Sequence, residues 1–286
     1  MNWIIASILM FLSSVALYLC VRKSNALKTP QQLNNLAMFF IPVVVYLFLT
    51  LNSEMSFDFT PLVYIIIIVQ AVFFSYLGNA LSLKGINSAP NPGYSLIISK
   101  SYVVFTAVAS VFLFDAPLTV KSVIAICLIL AFSSLIMIDK SASRRATDTT
   151  WLYYTLGAFF CWGFLALSSK YLLLLGVPIL TRLLYTMMLV TVLILAEITV
   201  KKISLVSVTK HQMVILFFIG VFGASFNYFM QVGFDLAPNV GFINAINAAS
   251  ISLLTLASAA VFKDELSFKK LIGVGGVTLG LVLLFL

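Results

Sequence analysis

The chain has 286 residues, of which 62% are apolar and only 9% are Asp, Glu, Lys or Arg. Soluble domains are about 45–50% apolar and about 25% charged, so so few charges cannot build a solvated surface, which excludes a soluble globular enzyme and a disordered chain. The net charge of +8 comes from basic residues scattered between apolar runs, which excludes a nucleic-acid binder as well.

What remains is a protein of the lipid bilayer. A hydrocarbon core of about 30 Å needs roughly 20 apolar residues per helix. Ten such runs follow one another, near residues 2–21, 33–51, 61–83, 94–114, 119–138, 151–172, 178–199, 211–232, 239–262 and 269–286. They lack the period-2 alternation of a lipid-exposed strand, so an all-α integral membrane fold of ten transmembrane helices is expected, not a barrel. The first run has no basic leader and no small-residue cleavage site, and reads as a retained span. Trp3 and Trp151 open the first and sixth runs, where a headgroup-level aromatic is expected. Prolines 30, 90, 92, 117 and 238 punctuate the short linkers. The longest polar stretch, 139–150, marks the middle. In the tenth run, Gly273, Gly276 and Gly280 form a small-residue stripe for packing against the fifth span or another protomer. Cys20, Cys127 and Cys161 have no paired spacing, so they read as small buried hydrophobes, with no disulfide framework or metal knuckle.

A shift of 148 residues aligns the chain with itself without a gap. Trp3 falls on Trp151, Phe11 on Phe159, Pro30 on Pro178, Asn79 on Asn227 and Gly85 on Gly233. Ala89-Pro90-Asn91-x-Gly93 falls on Ala237-Pro238-Asn239-x-Gly241, and Ala109-Ser110 on Ala257-Ser258. Shared Trp, Asn, Pro and Gly in one register point to duplication, with a first five-helix repeat at 1–138, a polar linker at 139–150 and a second repeat at 151–286. An odd number of spans per copy turns the second upside down: two inverted five-helix repeats, an architecture with its solute site near the midplane.

Charge tests the inversion. Linkers after odd-numbered spans hold thirteen basic residues: Arg22, Lys23, Lys28, Lys84, Lys140, Arg144, Arg145, Lys201, Lys202, Lys210, Lys263, Lys269 and Lys270. Those after even-numbered spans hold Lys121, Lys170 and Arg182. The lysine-rich face is expected to be cytoplasmic and both termini outside.

Two stretches carry a resemblance. One is Ala89 to Leu118, with Phe114-Asp115-Ala116-Pro117-Leu118-Thr119. The other is Leu236 to Leu286, with Ala237-Pro238, then Val261-Phe262-Lys263-Asp264-Glu265-Leu266-Ser267, then Gly273 and Gly280. The second resembles the C-terminal signature of the drug/metabolite transporter superfamily, in its EamA-type members with two repeats of five helices. Through the repeat, the resemblance covers the whole chain. It implies a secondary transporter of the plasma (inner) membrane, monomer or homodimer, with no cofactor. Its central cavity would be lined mainly by helices 1, 3, 4, 6, 8 and 9, with helices 5 and 10 peripheral. The family often has a proline in the middle of helices 4 and 9, where this chain has Val104 and Ser252. Its members usually keep both termini in the cytoplasm, which opposes the charge count.

Polar residues at membrane depth are the candidate site. Lys100 stands in the fourth span, eight residues past Pro92 and so roughly 12 Å along a helix. An amine there costs about 2.5 kcal/mol or more unless it faces a partner, water or a cavity. Two readings stand: it lines the cavity and attracts a substrate carboxylate or phosphate, or it snorkels to the interface. Asn79 and Asn227, with Tyr76 and Gln231 on their respective helix faces, either ring a polar solute or hold helices together. Asn244 and Asn247 share a face of the ninth span and are read as the site, with Ser99, the repeat equivalent of Asn247, beside Lys100. Tyr102 and Trp162 offer flat walls. No acid lies deep in a span, so coupling through a buried carboxylate has no support. No nucleophile–base pair and no metal-ligand cluster appears, so enzymatic chemistry is not expected. The expected function is export or exchange of a small polar organic metabolite, such as an amino acid, by alternating access. The alternative is a flippase for a lipid-linked or amphiphilic substrate.

Overall fold

The computed structural model describes residues 1–51, 58–138, 149–203 and 208–286. Among them the regular structure is helical throughout, and ten helices are long and apolar enough to cross a membrane. They are α1 (Trp3–Ala26), α2 (Gln31–Leu51), α3 (Pro61–Ser88), α4 (Pro92–Phe114), α5 (Val120–Met137), α6 (Thr150–Leu174), α7 (Ile179–Val200), α8 (Lys210–Leu236), α9 (Val240–Phe262) and α10 (Phe268–Phe285). Their number is the one the apolar runs predict. Ends lengthen by a few residues where caps extend the helix beyond the apolar stretch. Most of the central linker, 139–148, lies outside the described residues.

The ends are built by local chemistry. Asn91 and Asn239 cap α4 and α9, each side-chain oxygen accepting from the N–H two residues on, Gly93 at 2.9 Å and Gly241 at 2.8 Å. Such caps satisfy donors that the first turn leaves free. Thr209 and Gln212 cap α8 reciprocally. Lys28, Asp115, Lys263 and Gly176 take left-handed backbone where helices end.

Helix pairing is orderly. α1 packs along α8 and α9, and α6 packs along α3 and α4; α2 meets α7, α4 meets α9 and α5 meets α10. The most enclosed helix is α9, buried at every residue from Val240 to Ser250. Its small residues permit this: a Cβ added at Gly241 would stand 2.5 Å from the Ala107 Cα of α4. In a bilayer, helices gain little from hiding apolar surface from lipid, so close packing and interhelical hydrogen bonds carry association. The glycine stripe of α10 serves α5, since a Cβ at Gly276 would meet the Phe132 ring at 2.1 Å and one at Gly273 would meet Ile136 at 2.5 Å. Large apolar side chains such as Phe48, Phe112, Val200 and Phe268 point outward. So does Cys127, while Cys20 and Cys161 are half-buried, Cys20 against the Leu17–Ile219 cluster and Cys161 against Gly78 of α3, so none is the fully buried hydrophobe expected.

Three helices depart from regularity. Pro42 lies inside α2. Residues Gln70–Leu77 of α3 form a π-helical segment, a form that adds width to the turn and frequently marks functional positions. α4 breaks at Ser101, whose N–H is shared between the carbonyls of Ile97 and Ile98 and whose own carbonyl accepts from Val104 only three residues on. The interruption in α4 is made by a tightened turn at Ser101, three residues before Val104, whereas α9 runs through Ser252 unbroken.

Candidate functional site

The middle of the bundle holds a polar cluster shared by α1, α4 and α9. The Asn244 amide, with no exposed surface, donates to Thr106 Oγ1 at 3.0 Å and accepts from the Tyr102 hydroxyl at 3.4 Å. Asn247, Lys100 and Tyr18 lie within electrostatic reach of the Tyr102 hydroxyl. Toward α1, Ser14 and Ser250 share a hydrogen bond of 3.3 Å, and Ser250 donates to the Asn247 carbonyl at 2.7 Å. A break at Ser101 sits between Lys100 and Tyr102, so the bend in α4 and the polar cluster coincide. These bonds join α9 to both α1 and α4 in this conformation.

Two cavities flank the bundle. The first, of about 170 Å³, opens on the lysine-rich face between α2, α3 and α7, and is walled by Gln32, Asn35, Asn79, Lys84, Glu197 and Lys201 among others. Inside it Tyr76 donates to Glu197 at 3.1 Å. The second, of about 180 Å³, opens on the opposite face, with Ser110, Lys170 and Val240 in its wall. Ser110 and Val240 are each four residues, one helical turn, from Thr106 and Asn244, so this cavity ends just above the central cluster. Neither cavity is the midplane chamber between helices 1, 3, 4, 6, 8 and 9 that the resemblance implies: the first lies between α2, α3 and α7, and the second is lined by residues of α4, α6 and α9 and of the linkers that follow α4 and α8.

The expected site residues therefore divide. Tyr102 and Asn244 bond each other, and Lys100 and Asn247 lie within electrostatic reach of the Tyr102 hydroxyl. Ser99 turns back onto its own helix and donates to the Leu96 carbonyl at 3.1 Å. Asn79 lines the cavity of the lysine-rich face. Asn227 donates to the Gly223 carbonyl of its own helix at 2.8 Å. Gln231 is buried and its Oε1 has no partner among the described residues. Trp162 is half-buried on α6, away from both cavities.

Arg182 requires a correction. Counted as a linker cation, it stands instead in the first turn of α7 with only 2% of its surface exposed. Its Nη1 donates to Ser169 Oγ of α6 at 2.8 Å and to Gln70 Oε1, the first residue of the π segment in α3, at 3.4 Å. Gln70 in turn donates to Ser168 Oγ at 2.8 Å. The available signal was its position, four residues past Pro178 and inside the seventh apolar run.

At the edge of the lysine-rich face, Arg22 at the end of α1 makes a bidentate ion pair with Asp264 beyond α9 and stacks its guanidinium 4.6 Å from the Phe262 ring. The Arg22 hydrogen bonds hold the Asp264 carboxyl below the usual carboxylate range. This pair ties α1 to the end of α9, below the shared cluster.

Among solved structures, a crystal structure of another protein matches 98% of this chain and 98% of its own length at a TM-score of 0.79, with 16% identical residues. That likeness shows a shared fold. No protein-family model matches the sequence. No curated protein matches it.

Proposed function

We propose that this chain is a secondary transporter of the EamA type in the drug/metabolite transporter superfamily, carrying a small polar organic metabolite by rocking of two inverted five-helix halves. The observation that carries the reading is Asn244, an amide wholly buried at membrane depth and bonded across α4 and α9 to Tyr102 and Thr106. Polar side chains at that depth are costly and mark solute pathways by default. Lys100, Tyr102, Asn244 and Asn247 supply a cation, hydroxyl and amides, a set suited to a solute with carboxylate and hydrogen-bonding groups.

Three further observations support the inverted halves. The paired caps Asn91 and Asn239, and the left-handed pairs Lys28 with Gly176 and Asp115 with Lys263, are each 148 positions apart. The helix pairings of α1 with α8 and α9 recur as α6 with α3 and α4 under the same shift. Cavities indent both faces, with the cluster one turn below the second. In this conformation α9 is bonded to α1 and to α4, and transport requires these contacts to part, with Ser101 as the bend in α4.

Counterflow in proteoliposomes tests the reading. Vesicles are preloaded in turn with unlabelled amino acids, nucleobases or sugar phosphates, and uptake of the same labelled compound is followed. The proposal expects accumulation of at least one compound, abolished by Asn244→Leu. Failure of every compound, or unchanged flux in the variant, would overturn it.

A further inference from the structure

The guanidinium of Arg182 is only half used. Nη1 is held by Ser169 and Gln70, but Nε and Nη2 have no hydrogen-bond partner among the described residues, although both are buried. Those two nitrogens form one edge of the guanidinium plane, with two parallel N–H donors in the spacing that matches a carboxylate. The same end of α7 carries a second excess of positive potential, since its first N–H groups have no side-chain cap and the helix dipole is positive there. The ion pairs formed among the described residues are Arg22 with Asp264 and Lys201 with Glu197, and neither reaches Arg182. Within one turn on α7, the Thr186 hydroxyl is also buried and unpartnered. A buried cation with an open fork, an orphan hydroxyl one turn along the helix and no paired acid among the described residues is an incomplete ion pair.

We infer that Arg182 is an anion site, taking the carboxylate of a small organic acid on its Nε–Nη2 edge, with Ser169 and Gln70 fixing the plane of the guanidinium. The fork selects a carboxylate, flat and two-pronged, over a spherical halide. The π segment of α3 contributes by placing Gln70 opposite the first turn of α7. This site is separate from the Asn244 cluster and stands whether or not the chain carries a solute: stabilisation by a carboxylate with no flux would keep the site and count against transport alone.

The test is thermal unfolding of the purified full chain in detergent at constant ionic strength, titrated with propionate, propionamide, chloride or inorganic phosphate. A ligand that binds only the folded state raises the unfolding midpoint progressively with concentration. The wild type is expected to show that rise with propionate and none with propionamide or chloride. Arg182→Gln is expected to lose it, and Arg182→Lys, which keeps the charge without the fork, to show a reduced rise. If Arg182→Gln does not yield folded protein, the wild-type comparison decides alone. Equal shifts with propionate and propionamide, a response to phosphate but not propionate, no propionate response, or a propionate response undiminished in either variant would overturn the inference.

Discussion

Asp115 and Lys263 stand 148 positions apart, and each ends its helix in the left-handed conformation, at φ 51° and 58°. One carries an acid and the other a base, so the conformation belongs to the position and not to the side chain. Glycine adopts this backbone without the steric cost that other residues bear. Asp115→Gly and Lys263→Gly should each raise the thermal midpoint, by about 0.5–1 kcal/mol in stability, and the double variant should show the sum. Differential scanning fluorimetry in detergent checks this; a fall in midpoint for either variant would show that its side chain has a holding role.

Gly276 lets α10 lie against Phe132 of α5. A leucine there should overpack the contact at a cost of about 1–3 kcal/mol and reduce the folded fraction on size exclusion. Phe132→Ala should restore part of that loss in the Gly276→Leu background and lower stability in the wild type. Absence of rescue would mean that the stripe meets something other than Phe132.

The Arg22–Asp264 pair gives a pH dependence. Arg22 lowers the folded-state pKa of Asp264, so its contribution is fully present above the unfolded carboxylate value of about 4 and is lost as pH falls through the lowered one. Asp264→Asn should lower the midpoint slightly at neutral pH, and the difference should vanish in acid. Both side chains are partly exposed, at 41% and 32%, so high salt should shrink the difference too. A difference that persists in acid would assign it to packing on Phe262.

Orientation follows from the basic linkers once Arg182 is removed from the tally. The lysine-rich face should be cytoplasmic. A C-terminal alkaline phosphatase fusion should be active and a C-terminal green fluorescent fusion dark; the reverse pattern would place both termini inside.

The spans were legible because apolar runs of helical length have no other stable use in a bilayer. Asn244 and Asn247 were legible because amides three residues apart in an apolar helix share a face and need partners. The partners Tyr102 and Thr106 belong to α4, over a hundred residues earlier in the chain, and so came only partly into view. Arg182 was not legible as buried, because a cation one turn inside a span reads as interfacial until α3 and α6 are seen to cover it. The π segment of α3 has no marker in Gln70-Ala71-Val72-Phe73, and Ser101 has no proline to announce a break. Asn79 shares polarity with the cluster but lies on α3, where it lines the cavity of the lysine-rich face.

Asn244→Leu separates fold from function. Interhelical hydrogen bonds in membranes average about 0.6 kcal/mol and reach about 1.7, so this variant should fold with a small loss of midpoint while any carried solute is no longer moved. A variant that does not fold would make the amide a structural tie.

Alternating exposure of the α1–α4–α9 cluster is the central claim, and thiol accessibility measures it without knowledge of the solute. In a chain with Cys20, Cys127 and Cys161 replaced by alanine, Asn247→Cys in sealed, oriented vesicles is exposed to a membrane-impermeant thiol reagent from one face and then, separately, from the other. Slow labelling from both faces is predicted. Labelling from one face alone, or from neither, would contradict the account.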